Sequence, residues 1–229
     1  MTFKRIKKRL LSLAAVFVLF IFTFAAAIEF TQEYLDQIGK KYGDYSRRRL
    51  MGWQKLYQEN LKQTELKKLE AVNVFFNLFQ YYTDLAHWGT PDYWATPLEF
   101  VVSGGGDCED FAVAKYFTLL ALGVPDEKLL LEYVKIKQNS REFNQAHMVL
   151  LYYPQPTAVP LVLDSFNKEL LLADKRSDLL PIYGFNGSGL WQAKELGKGS
   201  KIGEPTDLKR WVALSERMKS GEISQWKGE

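Results

Sequence analysis

Gly104-Gly105-Gly106-Asp107-Cys108-Glu109-Asp110-Phe111 is where the chain changes character. Three glycines let a backbone come close to whatever sits beside it. Asp107 then has the side chain to cap a helix, which places Cys108 in that helix's first turn. The N-terminal end of a helix carries partial positive charge and favours a thiolate. The helix itself runs from Cys108 to about Leu122, is apolar through Phe111, Val113, Phe117 and Leu120, and is closed by Gly123 and Pro125. A rigid, buried helix of this kind would hold a sulfur in one place. A free cysteine is otherwise most often a small buried hydrophobe, but a helix tip behind three glycines is not a core position.

Upstream, residues 31–86 read as helical. Phe30, Tyr34, Leu35, Ile38 and Tyr42 recur at helical spacing, as do Leu50, Trp53, Leu56, Tyr57 and Leu61, and then Leu69, Val72, Phe75, Phe76 and Phe79. Gly43 and Lys62–Thr64 are the expected breaks, and Gly89, Pro91 and Pro97 the expected end of the region. Arg47–Arg49 reads as a solvated helix face. Downstream, strand-like runs cover Leu129–Ile136, Met148–Tyr153, Leu161–Phe166 and, less regularly, Leu179–Phe185. Thr206–Lys219 reads as a terminal amphipathic helix opened by Thr206 or Asp207. Helices followed by strands predict an α+β fold with an antiparallel sheet. The expected division is a helical part over residues 28–97 and a catalytic part over 98–229.

Scarcity narrows the chemistry. One cysteine excludes an intrachain disulfide and a cysteine-rich zinc site, and two histidines are too few for a histidine-rich metal centre. Any thiol nucleophile is Cys108, and any histidine base is His87 or His147. His87 sits beside Trp88-Gly89 at a helix end and reads as structural. Trp88, Tyr93 and Trp94 read as core or pocket wall, with an indole N–H near Cys108 as a candidate oxyanion donor. His147 opens one strand-like run and Asp164 lies in the next. If those runs pair antiparallel, the two residues can meet across them. An acid flanked by Leu161, Val162, Leu163 and Phe166 needs a partner if buried, and an imidazole N–H supplies one. Cys108, His147 and Asp164 then make nucleophile, base and orienter.

Residues 1–27 hold Lys4, Arg5, Lys7, Lys8 and Arg9 and no acid. Taking those five from the 30 basic residues leaves 25 against 27 acidic ones, so the formal charge of +3 becomes −2 for the remainder. The basic character belongs to the leader, and a nucleic-acid partner loses its support. Leu10 to Ala27 is an apolar run ending in Ala25-Ala26-Ala27, which reads as a secretory signal cleaved after Ala27. Its 18 residues also suffice for an uncleaved membrane anchor. Either way residues 28–229 are expected on the exported side of the inner membrane, in the periplasm.

Asp92-Tyr93-Trp94-Ala95-Thr96-Pro97, Gly106-Asp107-Cys108-Glu109-Asp110-Phe111 with Lys115-Tyr116, His147-Met148-Val149-Leu150 and Leu163-Asp164 occur in this order. Over residues 30–200 this resembles the bacterial transglutaminase-like cysteine proteinases, in particular their periplasmic adhesin-cleaving members. The resemblance implies a papain/transglutaminase-like fold, with the catalytic helix packed on the sheet, and Cys108, His147 and Asp164 as the triad. It also implies calcium, with Asp107 and Glu109 as ligands. It implies a large biofilm adhesin as substrate, cut near its N-terminus at a paired-alanine site, and an inner-membrane cyclic-di-GMP receptor as inhibitor. Calcium has an independent rationale. Asp107, Glu109 and Asp110 place three carboxylates near the sulfur, which opposes a thiolate, and a hard dication bound by them would reverse that field. The alternative is that Asp107 is a cap and Glu109 and Asp110 only suit the helix dipole. The other functional readings are a transglutaminase or amidase acting through the same triad, and a non-catalytic calcium-binding interaction module.

Overall fold

Threonine hydroxyls open the helical half. The computed structural model describes residues 27–137, 145–193 and 199–226; the apolar leader up to Ala26 lies outside them. Thr31 Oγ1 accepts from Tyr34 N (3.2 Å) to start α1 (Gln32–Tyr42). Gly43, at φ 90°, separates it from α2 (Asp44–Asn60). Thr64 Oγ1 accepts from Lys67 N (3.4 Å) to start α3 (Glu65–Phe76). The short β1 (Gln80–Tyr81) and α4 (Asp84–His87) follow. Pro97, expected to end the helical region, instead opens α5 (Pro97–Ser103) at its first turn, where a missing N–H loses nothing. Thr96 Oγ1 accepts from Glu99 N (3.1 Å) while Glu99 Oε2 accepts from Thr96 N (2.8 Å), and this reciprocal pair explains the start. Gly104, at φ 95°, closes α5 in the left-handed region.

β2 (Gly105–Gly106) then pairs in parallel with β1, a pairing that a triple glycine read as a loop did not announce. α6 (Cys108–Ala121) follows. Of Arg47–Arg49, Arg47 and Arg48 pair with Asp36 and Asp44 on the outside of α2. Arg49 departs from the expected solvated face: it turns inward and donates to the carbonyls of Val101 (2.9 Å) and Val102 (2.5 Å). A cation at those last carbonyls satisfies acceptors that α5 cannot.

The remaining strands are β3 (Leu129–Ile136), β4 (Gln145–Tyr152), β5 (Leu161–Leu163), β6 (Leu171–Leu172), β7 (Leu179–Asn186), β8 (Gly189–Gln192) and β9 (Lys201–Gly203). They form one antiparallel sheet in the order β6-β5-β4-β3-β7-β8-β9. Both faces of its central strands are buried, so they read as continuous apolar runs. Leu129, Leu131, Met148, Leu150, Leu163 and Phe185 face α6 and share one core with Leu50, Leu69, Phe76, Phe100 and Leu119. Leu130, Val134, Val149, Leu151 and Val162 form a second cluster on the opposite face. Trp53 of α2 donates its indole N–H to Thr118 of α6 (2.9 Å), tying the helical half to the helix that carries Cys108.

Three boundaries shift from expectation. β5 ends at Leu163 rather than Phe166, because Asp164 Oδ1 accepts from Phe166 N (2.9 Å) and turns the chain. β4 starts at Gln145. The terminal helix, α7 (Lys209–Ser220), begins later than Thr206 because Pro205–Asp207 forms a tight turn of its own.

Two glycines of opposite character test this packing. A Cβ on Gly105 would lie 1.9 Å from the Gln80 carbonyl oxygen, whereas one on Gly52 in α2 would meet Phe75 at an ordinary 3.5 Å. Gly52→Ala is expected to raise stability by about 0.5–1 kcal/mol. Gly105→Ala is expected to lower it by prying β1 from β2. Urea unfolding of both variants reads the two signs.

Candidate active site

Asp107 caps α6 with extended backbone, and Cys108 is the first residue of the helix. The thiol is buried, hydrogen-bonds to Glu109 Oε2 (2.7 Å) and receives a backbone hydrogen bond from Met148 on β4. Packing of α6 on β4 therefore delivers the sulfur to the residue that follows His147. Burial pushes the thiol pKa well up, and the charges of Glu109 and Asp107 and the bond to Glu109 push it further. As the chain stands, the helix terminus does not win over the acids beside it.

His147 is buried and its ring packs edge-on against Phe166 (4.9 Å). Nε2 meets Asp164 Oδ1 at 2.7 Å, whereas Nδ1 has no partner among the described residues. Asp164 also accepts from Phe166 N at Oδ1 and from Arg176 Nη2 at Oδ2 (2.6 Å). Burial alone would raise its pKa, but His147, Phe166 N and Arg176 more than offset that and hold it well below the usual carboxylate range. An ionised Asp164 is an acceptor only, so Nε2 carries the proton of this hydrogen bond and Nδ1 is the nitrogen left facing away from it. The strands β4 and β5 pair with Leu150 opposite Leu163, so the His147–Asp164 contact is made just past the end of the ladder. Arg176 is itself held by both oxygens of Asp178 (2.9 and 2.8 Å). Nothing in Asp174-Lys175-Arg176-Ser177-Asp178 distinguishes that arginine in the sequence from a solvated charge run.

The acids divide into two overlapping groups. Oxygens of Asp107 and Glu109 lie within 4.8 Å of one another and of the sulfur; oxygens of Asp84, Asp107 and Asp110 do the same among themselves. Asp110 is fully buried and accepts from Ala95 N (2.6 Å) and Asp107 N (3.3 Å). Asp84, at the start of α4, was not singled out by the sequence reading, since a lone acid at a helix start is the commonest of caps. Its Oδ2 accepts from Tyr93 N (2.6 Å). Asp84 Oδ1 and Asp107 Oδ1 are buried without a hydrogen-bond partner among the described residues. Burial, aided by Glu109 and Asp92, pushes Asp84 up to about 6, and burial with Asp110, Glu109 and Asp84 pushes Asp107 up to about 11. Orphaned carboxylate oxygens in a crowded, all-oxygen cluster are the donor set a hard divalent cation takes.

Tyr81 and Tyr133 lie within electrostatic reach of the site: both phenols are raised, first by burial and also by the charges at Cys108 and Glu109. Tyr81 packs on Phe166 (5.9 Å) and Tyr133 on Tyr183 (4.8 Å). His87 is buried at the end of α4, stacked on Tyr82 (4.5 Å) and against Trp88 (4.8 Å). Trp88 and Trp94 are buried, each with an unpartnered indole N–H.

Residues 48–177 match the model of the family described as bacterial transglutaminase-like cysteine proteinase. The chain belongs to that family. In fold and sequence the proteinase is similar to Legionella pneumophila LapG. The EGTA-treated LapG structure is 45% identical, covers 80% of this chain and 97% of its own, and superposes with a TM-score of 0.68. The calcium-bound LapG structure is 43% identical, covers 81% of this chain and 98% of its own, and has the same TM-score of 0.68. No curated protein matches. The proteinase thus has a transglutaminase-like fold, and its substrate is a protein.

The two histidines differ in kind, and a thiol-directed reagent distinguishes them. Alkylation of Cys108 by iodoacetamide at neutral pH is expected to slow in His147→Ala and to stay at the wild-type rate in His87→Ala. The reverse pattern would assign the base to His87.

Proposed function

We propose that this chain is an exported, calcium-dependent cysteine endopeptidase that cuts a large surface adhesin near its N-terminus, with Cys108, His147 and Asp164 as its catalytic residues. The observation that carries the catalytic part is the unpartnered Nδ1 of a histidine whose other nitrogen is fixed on an ionised carboxylate, in the residue next to the one that contacts the only thiol. In this reading His147 Nδ1 takes the Cys108 proton and Sγ attacks the peptide carbonyl carbon. The tetrahedral oxyanion is met by the Cys108 N–H, which has no acceptor within its own helix. Nδ1–H then protonates the leaving amine, and a water activated by the same nitrogen releases the acyl group and restores the thiol.

Asp107 and Glu109 are the proposed calcium ligands beside the sulfur, with Asp84 and Asp110 completing the cluster. Support comes from the two orphaned oxygens and from the calcium-bound state of the similar LapG. When bound, the cation supplies positive charge that offsets the carboxylates around the thiol. The adhesin substrate, its paired-alanine site and an inner-membrane cyclic-di-GMP receptor as inhibitor follow from likeness to the family. Periplasmic location follows from the leader's charge and hydropathy, whether the leader is cleaved or retained. A transglutaminase uses the same three residues and differs only in passing the acyl group to an amine.

Residues 28–229 incubated with adhesin N-terminal fragments and calcium should give two products whose intact masses together exceed the substrate by one water. Cys108→Ala and excess chelator should each give none. Product bearing an added amine would favour the transglutaminase, and full cleavage in chelator would remove calcium from the mechanism.

A second test is thermodynamic. Without calcium, Asp84 and Asp107 hold protons more tightly folded than unfolded. Their contribution is therefore most favourable below the ordinary carboxylate range and is lost as pH rises through about 6 and beyond. Chelated protein should lose melting temperature between pH 5 and pH 8 relative to calcium-loaded protein, and Asp84→Asn should flatten that difference.

A further inference from the structure

Lys115 lies two helical turns beyond Cys108, on the same face of α6. Its side chain is completely buried. Nζ has three acceptors: Asn73 Oδ1 (2.9 Å), Asn77 Oδ1 (2.8 Å) and the main-chain oxygen of Asp164 (2.9 Å). An ammonium has three N–H groups, so donors and acceptors match with none left over. None of the three acceptors is a carboxylate. Burial pulls the Lys115 pKa down to about 7, opposed by the Asp164 charge and reinforced by Lys168. The charge is costly where it stands, and an apolar side chain of similar volume would avoid that cost.

What an apolar side chain could not do is join three elements at one point. Asn73 belongs to α3 and Asn77 ends it; Asp164 begins the turn after β5; Lys115 comes from α6. Asn77 Nδ2 also donates to the Asp164 carbonyl (3.0 Å), Asn73 Nδ2 to the Lys168 carbonyl (2.8 Å), and Lys168 Nζ to the Asn77 carbonyl (2.8 Å). The turn that carries Asp164 is thus stapled to the end of α3, and Lys115 ties the staple to the helix of the nucleophile. Arg176 fixes the Asp164 carboxylate, whereas Lys115 fixes its main chain.

We propose that Lys115 is a positioning residue: holding the Asp164 main chain from the helix that carries Cys108, it sets how the His147–Asp164 pair meets the thiol. The proposal rests on the Cys108–His147–Asp164 assignment, and its test separates the two. Lys115→Met is purified with calcium and read in two ways. One is the nitrogen NMR spectrum of the histidine rings, which contains two ring systems because the chain has two histidines. The other is the rate of Cys108 alkylation by iodoacetamide at pH 7, with His147→Ala as reference.

The His147 ring signals should move while those of His87 stay, and alkylation should slow roughly tenfold, as expected for a misaligned pair. A structural lysine would change melting without moving the His147 ring. If His147→Ala itself alkylates at the wild-type rate, the triad assignment fails. If it slows while Lys115→Met keeps both the wild-type spectrum and the wild-type rate, the positioning role is overturned. Should Lys115→Met not fold, Asn77→Ala takes its place, since it removes one acceptor of the ammonium and one donor to the Asp164 carbonyl. A smaller His147 shift is then expected. An unmoved His147 spectrum in Asn77→Ala, or failure of both variants to fold, overturns the proposal.

Discussion

Burial of Asp84, Asp107 and Asp110 beside one another and beside Glu109, at the N-terminal end of α6, is the constraint on which the rest of the site depends. A helix terminus stabilises a nearby anion by about 0.3–1 kcal/mol. Burying an unpaired carboxylate costs several kcal/mol, on the order of several times the dipole's contribution. The comparison decides the sign: the end of α6 does not offset the burial, and Asp84, Asp107 and Asp110 hold their protons above the ordinary carboxylate range. Burial, with the charges of Glu109 and Asp107 beside it, likewise raises the Cys108 thiol. The proposed nucleophile thus sits where its protein surroundings oppose its reactive form, and the proposed calcium ion is what reverses that opposition.

The base side of the site is built on the opposite plan. Asp164 is buried like Asp84 and Asp110, yet its oxygens are fully engaged by His147, Phe166 N and Arg176, and its pKa falls rather than rises. Its main-chain oxygen is fixed by Lys115 and Asn77. That half is preset by the protein: no further partner is needed to ionise Asp164 or to fix the histidine tautomer. The nucleophile half, with orphaned oxygens at Asp84 and Asp107, is the half that waits for a ligand.

Most of this was legible wherever local chemistry and periodicity agreed. The helices on either side of Gly43, the helix behind Asp107 and the strand Leu129–Ile136 appear in the structure where the apolar spacing put them. The contact of His147 with Asp164 was readable as a buried acid needing a partner. What the sequence hid was long-range. Asp84 joins the acid cluster from a four-residue helix, and Arg176 reaches Asp164 from a loop with no pattern of its own. Arg49 looked like its solvated neighbours until the end of α5 was packed beside it. The strands β6, β8 and β9, two to four residues long, are too short for alternation to register. Pro97 was misread because a proline ends one helix and begins another equally well, and only the Thr96–Glu99 pair distinguishes the two.

The most direct test of the account is the pKa of the Cys108 thiol itself, measured by thiolate absorbance in the ultraviolet with saturating calcium and again with chelator. The chain contains one cysteine, so Cys108→Ala supplies the baseline and the difference signal belongs to a single group. The account predicts a thiol that titrates well above its ordinary range in chelator and markedly lower once calcium is bound. The same pKa in both conditions would mean that the acids around α6 do not govern the nucleophile, and would contradict the account at its centre.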